Sequence, residues 1–379
     1  MIQDYFNSPS ENFIKFYEGL SHSSFGKKIH INNIDVSDLD EISSYDMAIF
    51  YLGDIKDVEN LRRKIYSLEF GNWSLKLIDL GAFNQGHSKS DSVFGIQEIM
   101  RKLTNLGVYT LMIGGSQSDI DVYCKSFKSN DFMDVVSIDK FLGIGESIDK
   151  NESSNYLSRI ILDENIKLST FSNVGYLKHL NNTKKISLVD KFNFETLSLG
   201  QLKHDINEIE PITRNSEIIN FSIEALKSNV INYKLTSPNG IDSYEACLIS
   251  KFMGQSIDCK ISTINNIVHT LECYSIVSEM IWYVIDGFNS RYIDDFENHD
   301  EFKIYHTEID GHNLKFLKSH ISKRWWLEYV DDRIISVKNQ LIPCSENDFK
   351  LSKMGIISDR ILKRMKNKFL WRVEPFFFL

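Results

Sequence analysis

The sequence predicts an α/β protein of three layers, a mainly parallel sheet between two layers of helices, followed by a C-terminal elaboration. Strand-like and helix-like segments alternate from about residue 45 onward, the pattern that builds a parallel sheet covered on both faces. Runs such as DMAIFY and VYTLMI read as short buried strands,. With 379 residues, 42% of them hydrophobic, the chain can bury a large core,.

Taken in order, Asp46–Tyr51 reads as a strand, Val58–Glu69 as a helix and Leu75–Leu80 as a strand. Gly95–Leu106 has apolar residues at three- and four-residue steps, and Gly107 is placed to end that helix,. Val108–Ile113 is a buried strand that runs into Gly114 and Gly115. Asp134–Ile138 and Asn220–Ala225 are strands of the same kind, and Ser243–Met253 is helical. Thr263–Phe288 reads as one long helix, with Val268, Leu271, Ile276, Met280 and Val284 among its apolar residues. A charged stretch of Asp294, Asp295, Glu297, Asp300 and Glu301 marks a boundary near Arg291. It divides an α/β domain, residues 1–290, from a C-terminal elaboration, residues 291–379, with a hairpin-like region and a final helix. No internal repeat or low-complexity linker interrupts the chain.

Charge and cysteines exclude several functions. Lysine and arginine number 43 against 52 acidic residues, a formal charge of −9, which argues against nucleic-acid binding. The basic run Lys363, Arg364, Lys366 and Lys368 reads as a solvated helix face. The five cysteines form no CxxC pair and are expected as buried free thiols in the cytoplasm. The first twenty residues are broken by Asp4, Glu11, Lys15 and Glu18, so no signal pattern or membrane partner is expected. The ten histidines make no HxH or HxxxH zinc pattern,. His269 with Glu272 reads as an ordinary helical pair, and His312 and His320 as surface residues. Gly143-Ile144-Gly145 is a fragment of a dinucleotide fingerprint without its third glycine. The Gly114–Ser118 turn has no lysine and cannot be a phosphate-binding P-loop.

Ligands of parallel sheets sit at the carboxyl ends of the strands. The informative segments are therefore Gly114-Gly115-Ser116-Gln117-Ser118, Asp139-Lys140-Phe141-Leu142-Gly143 and Ser222-Ile223-Glu224. In order and spacing these resemble the Gly-Gly-Asp-His-Ser, Asp-Ala-His-x-Asp and Asp-x-Asp motifs of the arginase/agmatinase/formimidoylglutamase (ureohydrolase) superfamily. Ser172–Tyr176, Ser237–Gly240 and Tyr244–Cys247 extend the likeness. Ser24–Lys27, Met280–Gly287 and Arg324–Glu328 resemble a formimidoylglutamase-like branch of Bacteroidetes.

The resemblance implies an arginase-like fold and a hydrolase of linear C–N bonds with two Mn²⁺ ions. Such a pair, roughly 3.5–4 Å apart, generates and orients a hydroxide nucleophile. Position by position, this chain has lost most of the ligands. Gln117 replaces an imidazole, Phe141 a second imidazole, Gly143 a bridging carboxylate and Ser222 another. Asp139 and Glu224 keep carboxylates, and Lys140 adds a positive charge beside them. Thr263 falls where the family has a Glu that holds the substrate's cationic group. Phe141 is expected to fill the room of metal and water, with Gln117 and Ser222 hydrogen-bonded to each other, to water or to backbone. Asp139 or Glu224 is expected in an ion pair with a Lys or Arg, the alternative being a single Mg²⁺ or Ca²⁺ on both. No cofactor is therefore expected.

The leading expectation is a degenerate ureohydrolase-family protein that acts by binding or assembly. The runner-up is an active formimidoylglutamase-like hydrolase with a rebuilt site. The third is an interaction protein that uses its C-terminal aromatics. Trp325 and Trp326 should point to opposite faces of a strand, one inward and one toward a partner unless both pack in the core. The tail Phe376–Leu379 needs cover. Active relatives are commonly trimers or hexamers, so a homo-oligomer or a complex with another protein is expected.

Overall fold

The computed structural model describes residues 5–32, 39–128, 131–145, 155–309, 311–328 and 341–370. Nine strands form one sheet: β1 (His30–Ile31), β2 (Met47–Leu52), β3 (Leu77–Ala82), β4 (Tyr109–Gly114), β5 (Phe132–Ile138), β6 (Lys167–Tyr176), β7 (Glu195–Ser198), β8 (Ile218–Ser222) and β9 (Ile261–Asn265). Their order is β1-β3-β2-β4-β9-β8-β5-β6-β7, and every neighbouring pair is parallel. Alternate side chains of one strand enter two different cores. Ile49 and Tyr51 of β2 join one cluster, and Ala48 and Phe50 join the other. That requires cover on both faces, hence the apolar runs legible in the sequence.

β1–β4 occupy one side of the sheet and β5–β8 the other, and β9 closes the gap between β4 and β8. The carboxyl ends of β4, β9, β8 and β5 therefore meet at the point where the strand order reverses, the place such sheets offer a ligand. The helices Ser243–Gln255 and Leu271–Asn289 cross on one face. Glycines allow their close approach: a Cβ on Gly254 would lie 2.0 Å from Val284 O, and one on Gly287 would lie 2.1 Å from Lys251 O.

The single long helix expected over Thr263–Phe288 is instead strand β9 followed by the helix from Leu271. Asn266 between them has φ +58, a left-handed turn that no continuous helix tolerates. Thr263 thus lies within a central strand.

A second, antiparallel sheet consists of β10 (Phe302–Ile309), β11 (His312–Ser319), β12 (Trp325–Glu328) and β13 (Leu341–Cys344). Trp325 and Trp326 take opposite faces of β12, as alternation dictates, but neither is left for a partner. Trp325 stacks on Phe349 at 4.7 Å. Trp326 lies edge-on to Phe296 and under the Arg214 guanidinium, and its Nε1 donates to Asp294 Oδ2 at 3.0 Å. The helices Glu346–Lys353 and Asp359–Leu370 follow. The Phe376–Leu379 tail lies outside the described residues.

The basic run is not a solvated face. Lys363 and Arg364 are buried, whereas Lys366 is exposed; the Lys368 side chain lies outside the described residues. Lys363 pairs with Asp190 and Asp359, and Arg364 with Glu195. Arg360, one turn earlier, reaches Glu195 at 2.6 Å, Glu208 at 2.8 Å and Asp348 at 2.9 Å. Burial alone would raise the Glu195 carboxyl, yet Arg360 and Arg364 together hold it below the usual range. This helix is pinned to the β6–β7 edge of the main sheet, where Asn367 also donates to Thr170.

Candidate functional site

Each segment singled out in the sequence reaches the crevice through its own local geometry. After β4, Gly114 and Gly115 take φ +99 and +75, and a Cβ on Gly114 would lie 2.1 Å from Leu52 O. This glycine-only turn feeds the short helical segment that begins at Gln117. Gln117 is buried; its Nε2 donates to Ser137 Oγ at 2.7 Å. Its backbone N–H donates to Asn266 Oδ1 at 3.1 Å, and Asn266 Nδ2 donates to Ser222 Oγ at 3.1 Å. Gln117 and Ser222 are thus brought together through Asn266, and the partners that hold them are side chains rather than each other.

Asp139 follows β5 and is buried. Its Oδ1 accepts the Phe141 N–H at 3.2 Å. Burial raises its carboxyl to about 7; the Phe141 N–H and Lys140 oppose the rise, and the nearby Glu224 charge adds to it. Glu224 sits on the turn Ile223–Ala225 after β8, and its Oε2 lies 3.1 Å from Lys140 Nζ. The expected ion pair is therefore present, made by Glu224 with Lys140.

Phe141 does not fill the centre. It is 38% exposed, with its ring 5.2 Å from the Lys140 ammonium. The chain turns Leu142 inward instead, where it is 1% exposed, because Asn173 Nδ2 holds Phe141 O and Asn181 Oδ1 holds the Leu142 N–H. Tyr156 takes the interior. Gly143 has φ +67, and a Cβ there would lie 2.2 Å from the Tyr156 ring. The phenol oxygen is 2.8 Å from Ser137 Oγ, the same hydroxyl that accepts from Gln117 Nε2. Burial, then the Asp139 charge, pushes the phenol far above its ordinary range.

Thr263 is two residues short of the end of β9, fully buried, and its hydroxyl donates to Asn220 Oδ1. Asn265 Nδ2 donates to the same oxygen. Gln117 Oε1, Asn173 Oδ1, Asn220 Nδ2 and Asn265 Oδ1 have no hydrogen-bond partner among the described residues, so this region is uncharged but rich in hydrogen-bonding atoms. Tyr156, Ser137, Asn220 and Asn266 are the members sequence reasoning missed. A glycine in place of a carboxylate signals that a neighbour must fill the room, because interiors are close-packed.

The donors present do not suit a two-metal centre. A bound ion needs converging carboxylates and imidazoles, and among the described residues no group of three or more His, Cys, Asp or Glu is placed to hold one. Glu224 is taken by Lys140, and Tyr156 stands against Gly143. A cavity of about 530 Å³ shares Gly115 with this region and is lined also by Gln85, His87 and Lys89; Gln117, Asp139, Ser222 and Glu224 do not line it. All five cysteines are free and buried, and His312 and His320 are exposed. Among the described residues no helix is long and apolar enough to cross a membrane.

No family model and no curated protein matches the chain. Among solved structures it is similar to a formiminoglutamase from Trypanosoma cruzi crystallised with Mn²⁺, at 13% identity and TM-score 0.58, over 68% of this chain and 97% of that one. It is similar also to a formimidoylglutamase from Bacillus subtilis, at 13% identity and TM-score 0.57, over 77% and 93%. A hypothetical agmatinase from Burkholderia thailandensis aligns at 14% identity and TM-score 0.53, over 67% and 88%. The strand order, the crevice and these likenesses agree that the chain has the fold of the arginase, or ureohydrolase, superfamily.

Proposed function

We propose that the protein is a degenerate ureohydrolase-fold protein that has given up manganese-dependent hydrolysis and acts by binding or assembly. The observation that carries this reading is Tyr156, whose ring lies against Gly143, where the family resemblance expects a bridging carboxylate. Its hydroxyl bonds Ser137, whose hydroxyl also accepts from Gln117 Nε2, so the position of a former imidazole ligand is tied into a neutral network. The amide atoms of Gln117, Asn173, Asn220 and Asn265 that lack a partner among the described residues support binding of an uncharged polar molecule over a divalent ion. Assembly as a homo-oligomer or with another protein is part of the same reading, as is a reducing cytoplasm, which suits five free thiols,.

The test is metal content and activity together. Purified protein should hold far less than one Mn per chain and should leave agmatine, arginine and formimidoylglutamate intact when Mn²⁺ is added. Two Mn per chain, or turnover of any of the three, would end this reading. Light scattering with and without residues 376–379 tests assembly, and a monodisperse monomer in both forms removes the tail from it.

A further inference from the structure

We propose that Lys140 is a built-in cation that takes over the charge a metal ion supplies in an active ureohydrolase cleft, neutralising the Asp139–Glu224 region and keeping it closed to free divalent ions. This rests on the reading that the cleft holds no manganese. Lysines are almost never buried unless paired, and Lys140 is 6% exposed at the carboxyl edge of a central strand. Its backbone is fixed there: Lys140 O accepts from the Leu177 N–H at 3.1 Å and from Asn181 Nδ2 at 2.9 Å.

β5 and β8 are neighbours, so the carboxylates that follow them, Asp139 and Glu224, are forced near one another. A second negative charge is unfavourable at these partly dry strand ends, and a positive charge beside them relieves it,. Lys140 Nζ supplies it, 3.1 Å from Glu224 Oε2. The Phe141 ring lies 5.2 Å from the same ammonium, a favourable cation–π contact. Three consecutive residues are thus organised around one cation: Asp139 as the nearby buried carboxyl, Lys140 as its source, Phe141 as its aromatic cover. A tethered ammonium also competes with free ions at the high effective concentration of an intramolecular group. The contact with the ammonium adds to the Asn173 and Asn181 bonds that hold Phe141 on the outer side of the site.

The experiment compares wild type with Lys140→Met by thermal unfolding in chelator and in a series of Mn²⁺ and Mg²⁺ concentrations. The wild-type midpoint should not respond. Lys140→Met should melt several degrees lower in chelator and recover saturably as cation is added, because an ion that binds only the native state raises its stability. That recovery should vanish in Lys140→Met/Glu224→Gln. If Lys140→Met fails to fold, the double variant decides: it should fold, melt near wild type and ignore cations. A folded but cation-blind Lys140→Met, or a double variant as unstable as the single one, overturns this inference alone. A saturable Mn²⁺ response in wild type, with metal retained on purification, overturns the proposed function as well.

Discussion

Replacing Tyr156 and Phe141 by alanine in parallel should give very different losses. Tyr156 is 2% exposed, has its ring against Gly143 and lies beside Phe171. Truncating a buried aromatic costs about 3–5 kcal/mol, and Tyr156→Ala should fall in that range. Tyr156→Phe removes only the hydroxyl, leaving Ser137 short of a partner, and should cost about 1–2 kcal/mol. Phe141→Ala exposes little new surface and loses one cation–π contact, a loss of about 1 kcal/mol or less. Gly143→Ala should be severely destabilising in wild type, where its Cβ meets the Tyr156 ring. In a Tyr156→Ala background only the φ +67 strain remains, about 1 kcal/mol, so the two substitutions should couple strongly,. Equilibrium urea unfolding at constant slope measures all five variants, the double one included. A loss of 3 kcal/mol or more for Phe141→Ala, or under about 1 for Tyr156→Ala, would show that the cleft is closed by the wrong ring in this account.

Two further outcomes follow. The Asp139 carboxyl is raised from 3.8 to about 7 by burial, so between those values the native protein keeps a proton that the unfolded chain has released. Stability should therefore fall as pH rises from about 4 to about 7 and level off above, by at most about 4 kcal/mol. Asp139→Asn should remove that part of the slope in denaturation curves taken across this range, and an unchanged slope counts against a buried acid there. Arg360→Met takes the arginine from Glu208 and Asp348 and one of two from Glu195, which keeps Arg364. It should cost about 3–5 kcal/mol and speed amide exchange selectively along Asp359–Leu370; uniform exchange would refute the pinning role.

Strands β2, β3, β4, β5 and part of β8 were legible because burial on both faces leaves continuous apolar runs, and the crevice because three non-apolar segments follow such runs at fixed places. The Gly114–Gly115 turn was readable for the same reason, its conformation being closed to other residues. What failed depended on partners far along the chain. β9 carries only Ile261 and Ile264 as apolar residues, and the helical spacing that begins at Leu271 extends backward over it. Phe141 and Leu142 exchange places because Asn173 and Asn181 hold the backbone, contacts that span more than thirty residues. Lys363 and Arg364 read as solvated because the acids that bury them, Asp190 and Glu195, stand about 170 residues earlier.

That last separation has a consequence for the order in which the chain is made. Glu195 belongs to the edge strand β7, yet its ion-pair partners Arg360 and Arg364 are translated more than 160 residues later. A ribosome adds roughly 5–20 residues per second, so the sheet edge waits on the order of ten seconds with its carboxylate bare and β7 open to strand pairing. Through that interval the nascent chain resembles a sheet missing its clasp. A chaperone that shields strand edges would find its longest window on this protein there, and it would close when the helix Asp359–Leu370 emerges.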